Sequence, residues 1–285
     1  MNNFFIVTNA VKDPDKVYSN QIIKFLEENQ MNCSGCIFSK ETSDSVYRYA
    51  DPGQIPDDTD LIMVIGGDGT FIHTAKDLID LDLPIIGINF GNLGYLTEID
   101  AGNLEQDLLQ IAAGHYHIEN RMLIYGEIIR DGEVISSDIA LNDVVLNRSQ
   151  TMGIIDYEVR VNKKFLNRYS ADGIILSTPT GSTGYNLSAG GPVVYPSAEI
   201  ILATPICAHT LNSMTIVFSA DSEIEVIVKE RSSERGQRKI VSFDGQSEIV
   251  VENEDIIRVR KSEKHTKILR LSDISFVEQL GKKMR

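Results

Sequence analysis

The sequence predicts a two-part α/β protein: a Rossmann-like N-terminal domain, then a β-rich, sandwich-like second domain. Leu61-Ile-Met-Val-Ile65 is an unbroken apolar run, and Gly66-Gly67-Asp68-Gly69 ends it abruptly. Such a run suits a strand buried on both faces of a parallel sheet. Behind the turn, Phe71, Ile72, Ala75, Leu78 and Ile79 recur at helical spacing, with Thr70 as the expected N-cap. From about residue 115 onward the pattern changes to short, mostly alternating runs.

Each element follows in order. Residues 4–8 read as a strand. Asp13-Pro14 opens a helix with Tyr18, Ile22, Phe25 and Leu26 on one face, the proline sitting where a missing N–H is harmless. Residues 31–38 form a second strand, and an acidic, irregular stretch leads to the central run at Leu61. Pro84–Asn89 is the next strand and Asn103–Ile111 a helix, an alternation typical of a parallel sheet. Ile124–Ile129 and Val134–Val145 flank Arg130-Asp-Gly-Glu133, a hairpin signal. Ile154–Val161, Phe165–Tyr169, Gly173–Ser177, Thr215–Phe218, Glu223–Lys229, Ile240–Phe243 and Asp255–Arg260 supply further strands. A helical tail with Ile274, Val277 and Leu280 closes the chain. The expected division is 1–98, completed by 270–285, and 99–269.

Bulk properties narrow the function. The 285 residues carry 41 acidic and 27 basic side chains, a net charge of −14. That balance argues against nucleic acid or an anionic membrane as the main partner. Met1-Asn-Asn precedes a short strand, not a secretory leader, and no apolar stretch reaches membrane-spanning length, so a cytoplasmic protein is expected. Cys33-Ser-Gly-Cys36 has zinc or redox spacing, but there is no second pair, and the five His residues are scattered. The three cysteines are read as inert thiols.

The chemistry-bearing stretches begin with the glycine turn. Asp68-Gly69 read as a hairpin would need a second alternating strand, and the helical period after it denies one. A strand end that meets a helix N-terminus accepts phosphate closely. A carboxylate there repels phosphate unless it meets a cation or takes a proton, which points to phosphoryl transfer. Asn89-Phe-Gly-Asn-Leu-Gly-Tyr-Leu96 is another strand-end loop, whose plain alternative is a simple connection. Asn142 and Asp143 interrupt an apolar run, so one of them points inward in either register. A ribose diol would satisfy such a pair, and a strand-end turn is the alternative. Ala171–Pro192 is rich in glycine and small hydroxyl residues around Tyr185, suited to sugar and phosphate oxygens with a ring face for a base; a flexible linker is its alternative. Thr204-Pro-Ile-Cys-Ala-His209 reads as a proline-led turn with a structural histidine. No GxxxxGK[ST] loop, protein-kinase motif set or HExxH is present.

Taken in order, these stretches resemble the NAD kinase family over nearly the whole chain. Gly66-Gly-Asp-Gly-Thr70 is similar to that family's GGDGT, which lipid kinases and 6-phosphofructokinases share. More discriminating are Gly91-Asn-Leu-Gly-Tyr-Leu96 and Thr178–Pro192, which resemble GxLGFL and TPTGSTAYxLSxGGP. Asn142-Asp143 resembles the NE/ND pair and Phe243-Asp-Gly-Gln246 the late DGQ. The resemblance implies ATP-dependent phosphorylation of NAD at the 2′-hydroxyl of its adenosine ribose, with Asp68 as proton acceptor. It also implies NAD contacts from Asp68, Gly69, His73, Asn142, Asp143, Asp172, Thr183, Gly184, Tyr185, Asn186, Leu187, Ser188 and Gln246. A divalent cation, Mg²⁺ by expectation, and a homodimer or homotetramer belong to the same picture. The chain departs from the pattern at Gly184 for alanine, Ala208 for proline, and Met214-Thr215 for Arg-Pro. A lipid or sphingoid-base kinase and a non-catalytic NAD(P) sensor remain the alternatives.

Overall fold

The computed structural model describes residues 1–39, 49–91, 94–100, 102–149, 153–209, 214–230, 238–271 and 276–283. Contacts divide the chain into two units, 1–121 with 265–285 and 122–264. The first opens with β1 (Asn3–Asn9), α1 (Val17–Glu28), β2 (Asn32–Ser39), β3 (Leu61–Ile65), α2 (Asp68–Asp77), β4 (Ile85–Asn89), β5 (Thr97–Asp100) and α3 (Leu104–Ala112). Parallel pairing arranges its strands in the order β2-β1-β3-β4-β5. After β1 the chain moves to one side of the sheet, and after β3 to the other. Ligands of open α/β sheets bind outside the strand ends at such a reversal. The turn of Gly66 to Gly69 leaves β3 at that place.

Both faces of the central strands are covered, so Leu61 to Ile65 are all buried. Ile22 and Leu26 of α1 and Leu104, Leu108 and Ile111 of α3 join Phe4, Ile6, Met63 and Ile65 in one core. Pro14–Lys16 forms a 3₁₀ turn, and α1 begins only at Val17. The buried Asp13 carboxylate accepts from the backbone N–H groups of Tyr18 (2.8 Å) and Ser19 (3.2 Å), satisfying donors at the helix start. The expected cap at Thr70 is corrected: α2 starts at Asp68 with Gly67 as N-cap, and Thr70 lies buried in the first turn. Thr70 packs so close to Gly66 that a Cβ there would sit 2.6 Å from its side chain. The four-residue strand β5 was not anticipated, because an alternation that short resembles any loop.

Cys33 and Cys36 lie in β2, with both thiols shifted upward, chiefly by burial, Cys36 to about 11. Among the described residues no group of three or more His, Cys, Asp or Glu is placed to hold a metal ion. No described helix is long and apolar enough to cross a membrane.

The second unit is built from β6 (His117–Arg130), β7 (Glu133–Ala140), β8 (Asp143–Arg148), β9 (Ile155–Val161), β10 (Lys164–Ala171) and β11 (Gly173–Ser177). It continues with α4 (Tyr185–Ser188), β12 (Ile200–Ile206), β13 (Ile216–Ser219), β14 (Ile224–Lys229), β15 (Lys239–Phe243), β16 (Gln246–Val251) and β17 (Ile256–Arg270). One sheet runs β13-β12-β11-β8-β15-β16, antiparallel throughout. Other antiparallel pairings join β10, β9, β14 and β17, and β6 with β7. Val144, Leu146, Ile174, Leu176 and Phe243 from the first set share a core with Ile128, Tyr157, Val159, Val226 and Val259 from the second, as in a sandwich.

Asp131 and Gly132 take positive φ of 52° and 86°, giving the expected tight hairpin. The run from Val134 to Val145 is not one strand, however. It breaks at Leu141-Asn142, where the chain leaves β7 and enters β8 in the other sheet. Pro205 lies inside β12, not in a turn. It faces Ile174 of β11, while β13 pairs only with Ile200 to Ala203, so its missing N–H interrupts no ladder there.

The last residues of β17, from His265, return to the first unit, with Ile268 beside Ile85 in parallel. Helix α5 (Phe276–Lys283) follows; Ile274 of the expected tail lies outside the described residues. Arg270 is 7% exposed and pairs with Glu98, 4% exposed, at 2.8 Å. It also reaches Glu119 at 3.3 Å, which pairs in turn with the buried Arg121. Removing one member of a buried pair strands the other charge. Arg270→Met is therefore expected to lower the unfolding free energy by about 3–5 kcal/mol. Urea denaturation checks this; a loss below ~1 kcal/mol, typical of exposed pairs, would contradict it.

Candidate active site

In the first unit the site is built on one carboxylate. Asp68 is the first residue of α2, and its Oδ2 accepts from the N–H of Tyr95 at 2.9 Å. Its Oδ1 accepts from the N–H of Leu96 at 3.0 Å. The Gly66–Gly69 turn and the loop ending at Leu96 thus meet at this side chain. Gly94 explains the second loop's glycine: a Cβ there would lie 1.8 Å from Asp68 Oδ1. Its N–H is held by Thr97 Oγ1 at 2.6 Å. A carboxylate offers about four acceptor sites, so each Asp68 oxygen keeps capacity for a hydroxyl.

Gly69 is exposed at the helix start, and His73, one turn on, is buried and stacked on Tyr49 at 5.9 Å between ring centroids. Asn9, at the end of β1, donates to Tyr49 Oη (3.2 Å) and Thr70 Oγ1 (3.4 Å). Asn9 and Tyr49 were missed from sequence. A polar residue closing the first apolar strand was the available signal for Asn9. Tyr49 had none, since the sequence before it shows neither helical nor alternating period.

In the second unit the predicted residues gather around the β7–β8 break. Asp244 and Gly245, with φ of 51° and 68°, make a tight turn between β15 and β16. The Asp244 carboxylate accepts from the N–H groups of Leu141 (2.8 Å), Asn142 (2.7 Å) and Asp143 (3.1 Å). Gln246 opens β16 directly after this turn. On the other side, the Asn142 carbonyl accepts from Thr178 N–H at 2.8 Å and Ser177 Oγ at 3.2 Å. Gly181 approaches the same carbonyl so closely that a Cβ would fall 2.3 Å from it.

The glycine-rich segment is ordered structure, not a linker: Thr180–Thr183 is a 3₁₀ turn running through Gly184 into α4. Asn186 is fully buried and anchors it. Its Nδ2 donates to the carbonyls of Ser182 and Pro192, and its Oδ1 accepts from Thr204 Oγ1 at 2.6 Å. Tyr185 and Leu187 stand about two-fifths exposed, at 41% and 42%, and Ser188 is exposed beside them. Tyr185 Oη accepts from Asn147 Nδ2 at 3.5 Å, and Asp172 pairs with Arg148 at 2.8 Å. Thr183 Oγ1 bonds back to the Thr180 carbonyl at 3.4 Å. His209 is exposed, and its backbone N–H donates to the Ser170 carbonyl at 2.8 Å.

Residues 5–116 match the family model for the ATP-NAD kinase N-terminal domain, and residues 141–271 the one for the ATP-NAD kinase C-terminal domain. The chain belongs to the ATP-NAD kinase family. It is 42% identical to an NAD kinase of Lachnospira eligens, with both chains covered completely. It is 40% identical to an NAD kinase of Agathobacter rectalis, covering 100% of this chain and 99% of that one. Among solved structures, a yeast NADH kinase complexed with NADH superposes with a TM-score of 0.86 at 21% identity, covering 100% of this chain and 87% of that one. An Archaeoglobus fulgidus NAD kinase in complex with ATP gives 0.75 at 24% identity, with 98% of each chain covered. Both likenesses concern the fold.

Within this family frame, Gly184 needs no glycine conformation. Its φ is −92°, and a methyl would lie 3.3 Å from the Gly181 carbonyl oxygen and 3.7 Å from Asn142 Nδ2. The same distance places the Asn142 amide beside the glycine-rich segment. Asp143 is buried, and its carboxyl is pushed up to about 7, first by burial and then by the charge of Asp244. With a folded-state value raised above 3.8, the contribution of Asp143 to stability is fully present below pH 4 and is lost as pH rises toward 7. Asn cannot ionise. Relative to wild type, Asp143→Asn should therefore gain stability between pH 4 and pH 7 and hold that gain above it. The gain is bounded by about 4 kcal/mol. Urea titrations at pH 4.5 and 8 measure it; a pH-independent difference would refute the ionisation assigned to Asp143.

Proposed function

We propose that this chain transfers the γ-phosphoryl group of ATP to the 2′-hydroxyl of the adenosine ribose of NAD, giving NADP and ADP. Membership of the ATP-NAD kinase family supports the reaction and sets aside the lipid-kinase alternative. The observation that carries the mechanism is Asp68, fixed by two backbone donors where the sheet order reverses. As the ribose oxygen bonds to phosphorus, the bond from phosphorus to the β–γ bridging oxygen breaks. Asp68 takes the hydroxyl proton, and ADP carries away the displaced electron pair.

The side chains of the second unit act on binding. Asn142 and Asp143 hold the nucleoside hydroxyls and base edge, and the exposed Tyr185 ring offers a face for stacking. Thr183, Leu187, Ser188, Asp172 and Gln246 complete the contacts, while the buried Asn186 keeps their segment in shape. His73 and Gly69 frame the turn beside Asp68.

Phosphoryl transfer depends mainly on alignment and charge neutralisation. A divalent cation supplies the neutralisation when bound. Among the described residues, the donor set fits an ion carried in by the triphosphate, with the Asp68 carboxylate at hand. EDTA is expected to abolish NADP formation and Mg²⁺ or Mn²⁺ to restore it; full activity after rigorous metal removal would overturn the requirement.

General-base catalysis contributes about 10²–10⁴-fold, so Asp68→Asn should lower turnover on that order. Asn is nearly isosteric but turns one oxygen that accepts from Tyr95 or Leu96 into a donor, so NAD affinity by calorimetry should fall, though less than turnover. A folded variant with near-normal turnover would refute the role of Asp68. Partial recovery at high Mg²⁺ would instead assign Asp68 to metal–ATP binding.

A further inference from the structure

The late turn of Phe243 to Gln246 contains a residue that the binding scheme above leaves without a role. Asp244 is half-buried, yet its carboxylate meets the N–H groups of Leu141, Asn142 and Asp143 at 2.7 to 3.1 Å. The bonding is reciprocal, since Asp244 N–H donates to the Asp143 carbonyl at 2.9 Å. The segment so gripped is the break at which the chain leaves β7 for β8. Without a partner, its three consecutive N–H groups would sit outside any ladder. The carbonyl side of Asn142 is gripped as well, by Ser177 and Thr178. Only the Asn142 side chain is left to vary, and its Nδ2 is directed toward Gly184.

We infer that Asp244 is a positioning residue for NAD: it holds the Leu141–Asp143 backbone so that the Asn142 amide and the Asp143 carboxyl present their polar atoms to the nucleoside. This rests on the reading that Asn142 and Asp143 contact the nucleoside. Asp244 reaches the substrate only through them. Among the described residues, the groups with a charge or titratable proton that act on Asp143 are Asp244, from the β15–β16 turn, and Tyr185, from α4. Neutralising Asp244 therefore changes both the place of the pair and the proton affinity of Asp143.

Asp244→Asn keeps the size of the side chain but replaces one acceptor oxygen with a donor facing N–H groups. It is expected to raise KM for NAD roughly tenfold, the equivalent of about one charge-assisted hydrogen bond. KM for ATP and kcat should stay within about threefold, because Asp68 is untouched. A purely structural role would instead lower kcat with the folded fraction and leave KM for NAD unchanged, which would overturn the inference. Asp244→Glu keeps both oxygens but pushes the segment outward, and it should show the same split. It decides the matter should the Asn variant not fold. Asn142→Ala is the control. If it raises KM for NAD and neither Asp244 variant does, the positioning role fails alone. If Asn142→Ala leaves KM unchanged, the nucleoside reading and this inference fall together.

Discussion

Two backbone N–H groups, those of Tyr95 and Leu96, fix the carboxylate of Asp68, and the first unit's site depends on that contact. It joins the strand-end turn at Gly66–Gly69 to a loop nearly thirty residues later, so neither motif has its geometry alone. Gly94 is the steric condition for the contact, since any side chain there would collide with Asp68. The loop is anchored in turn from the end of the chain. Arg270 donates to the Tyr95 carbonyl at 3.1 Å, and Lys283 lies over the Tyr95 ring at 3.9 Å.

The same device recurs through the molecule. Asp13 receives Tyr18 and Ser19, Asp60 receives Asn2 and Asn3, Asp77 receives Tyr49 and Ala50, and Asp244 receives Leu141 to Asp143. In each case consecutive backbone N–H groups are satisfied by the chain's own aspartate. This gives the excess of acid a structural reading. These carboxylates are met by backbone dipoles, so part of the acidic excess behind the net charge of −14 holds closely fitted turns.

Much of this was legible in the sequence because period and punctuation are local signals. The run at Leu61, the hairpin at Asp131-Gly132 and the helix of α3 announce themselves within a dozen residues. What was not legible depends on distant partners. The break at Leu141-Asn142 stood in the sequence only as the strand-end-turn alternative, because the residue that grips it, Asp244, is about a hundred positions away. The helix start moved from Thr70 to Asp68 for a similar reason: Asp68 is bound by Tyr95 and Leu96, while Thr70 is buried over Gly66. Strand β12 was hidden by Pro205, tolerable only because β13 stops short of it. Among the expected site residues, Asn186 is set by contacts that no local pattern announces. Its amide is wholly engaged in holding its own loop.

The return of β17 to β4 bears on how the polypeptide is made. Ile268 pairs with Ile85, and Leu269 enters the core that Phe4 and Leu61 begin. During synthesis, the first hundred or so residues emerge with one edge of their sheet unpaired and part of their core unfilled. They stay so until the entire second unit has followed them out. Closing so long a loop is slow, and an open strand edge beside exposed apolar surface invites association with other chains. The second unit also needs late strands, but the part of β17 that pairs with β14 emerges before the residues that return to the first unit. The order of birth and the order of completion are therefore reversed: the half that is translated first is the half that finishes last.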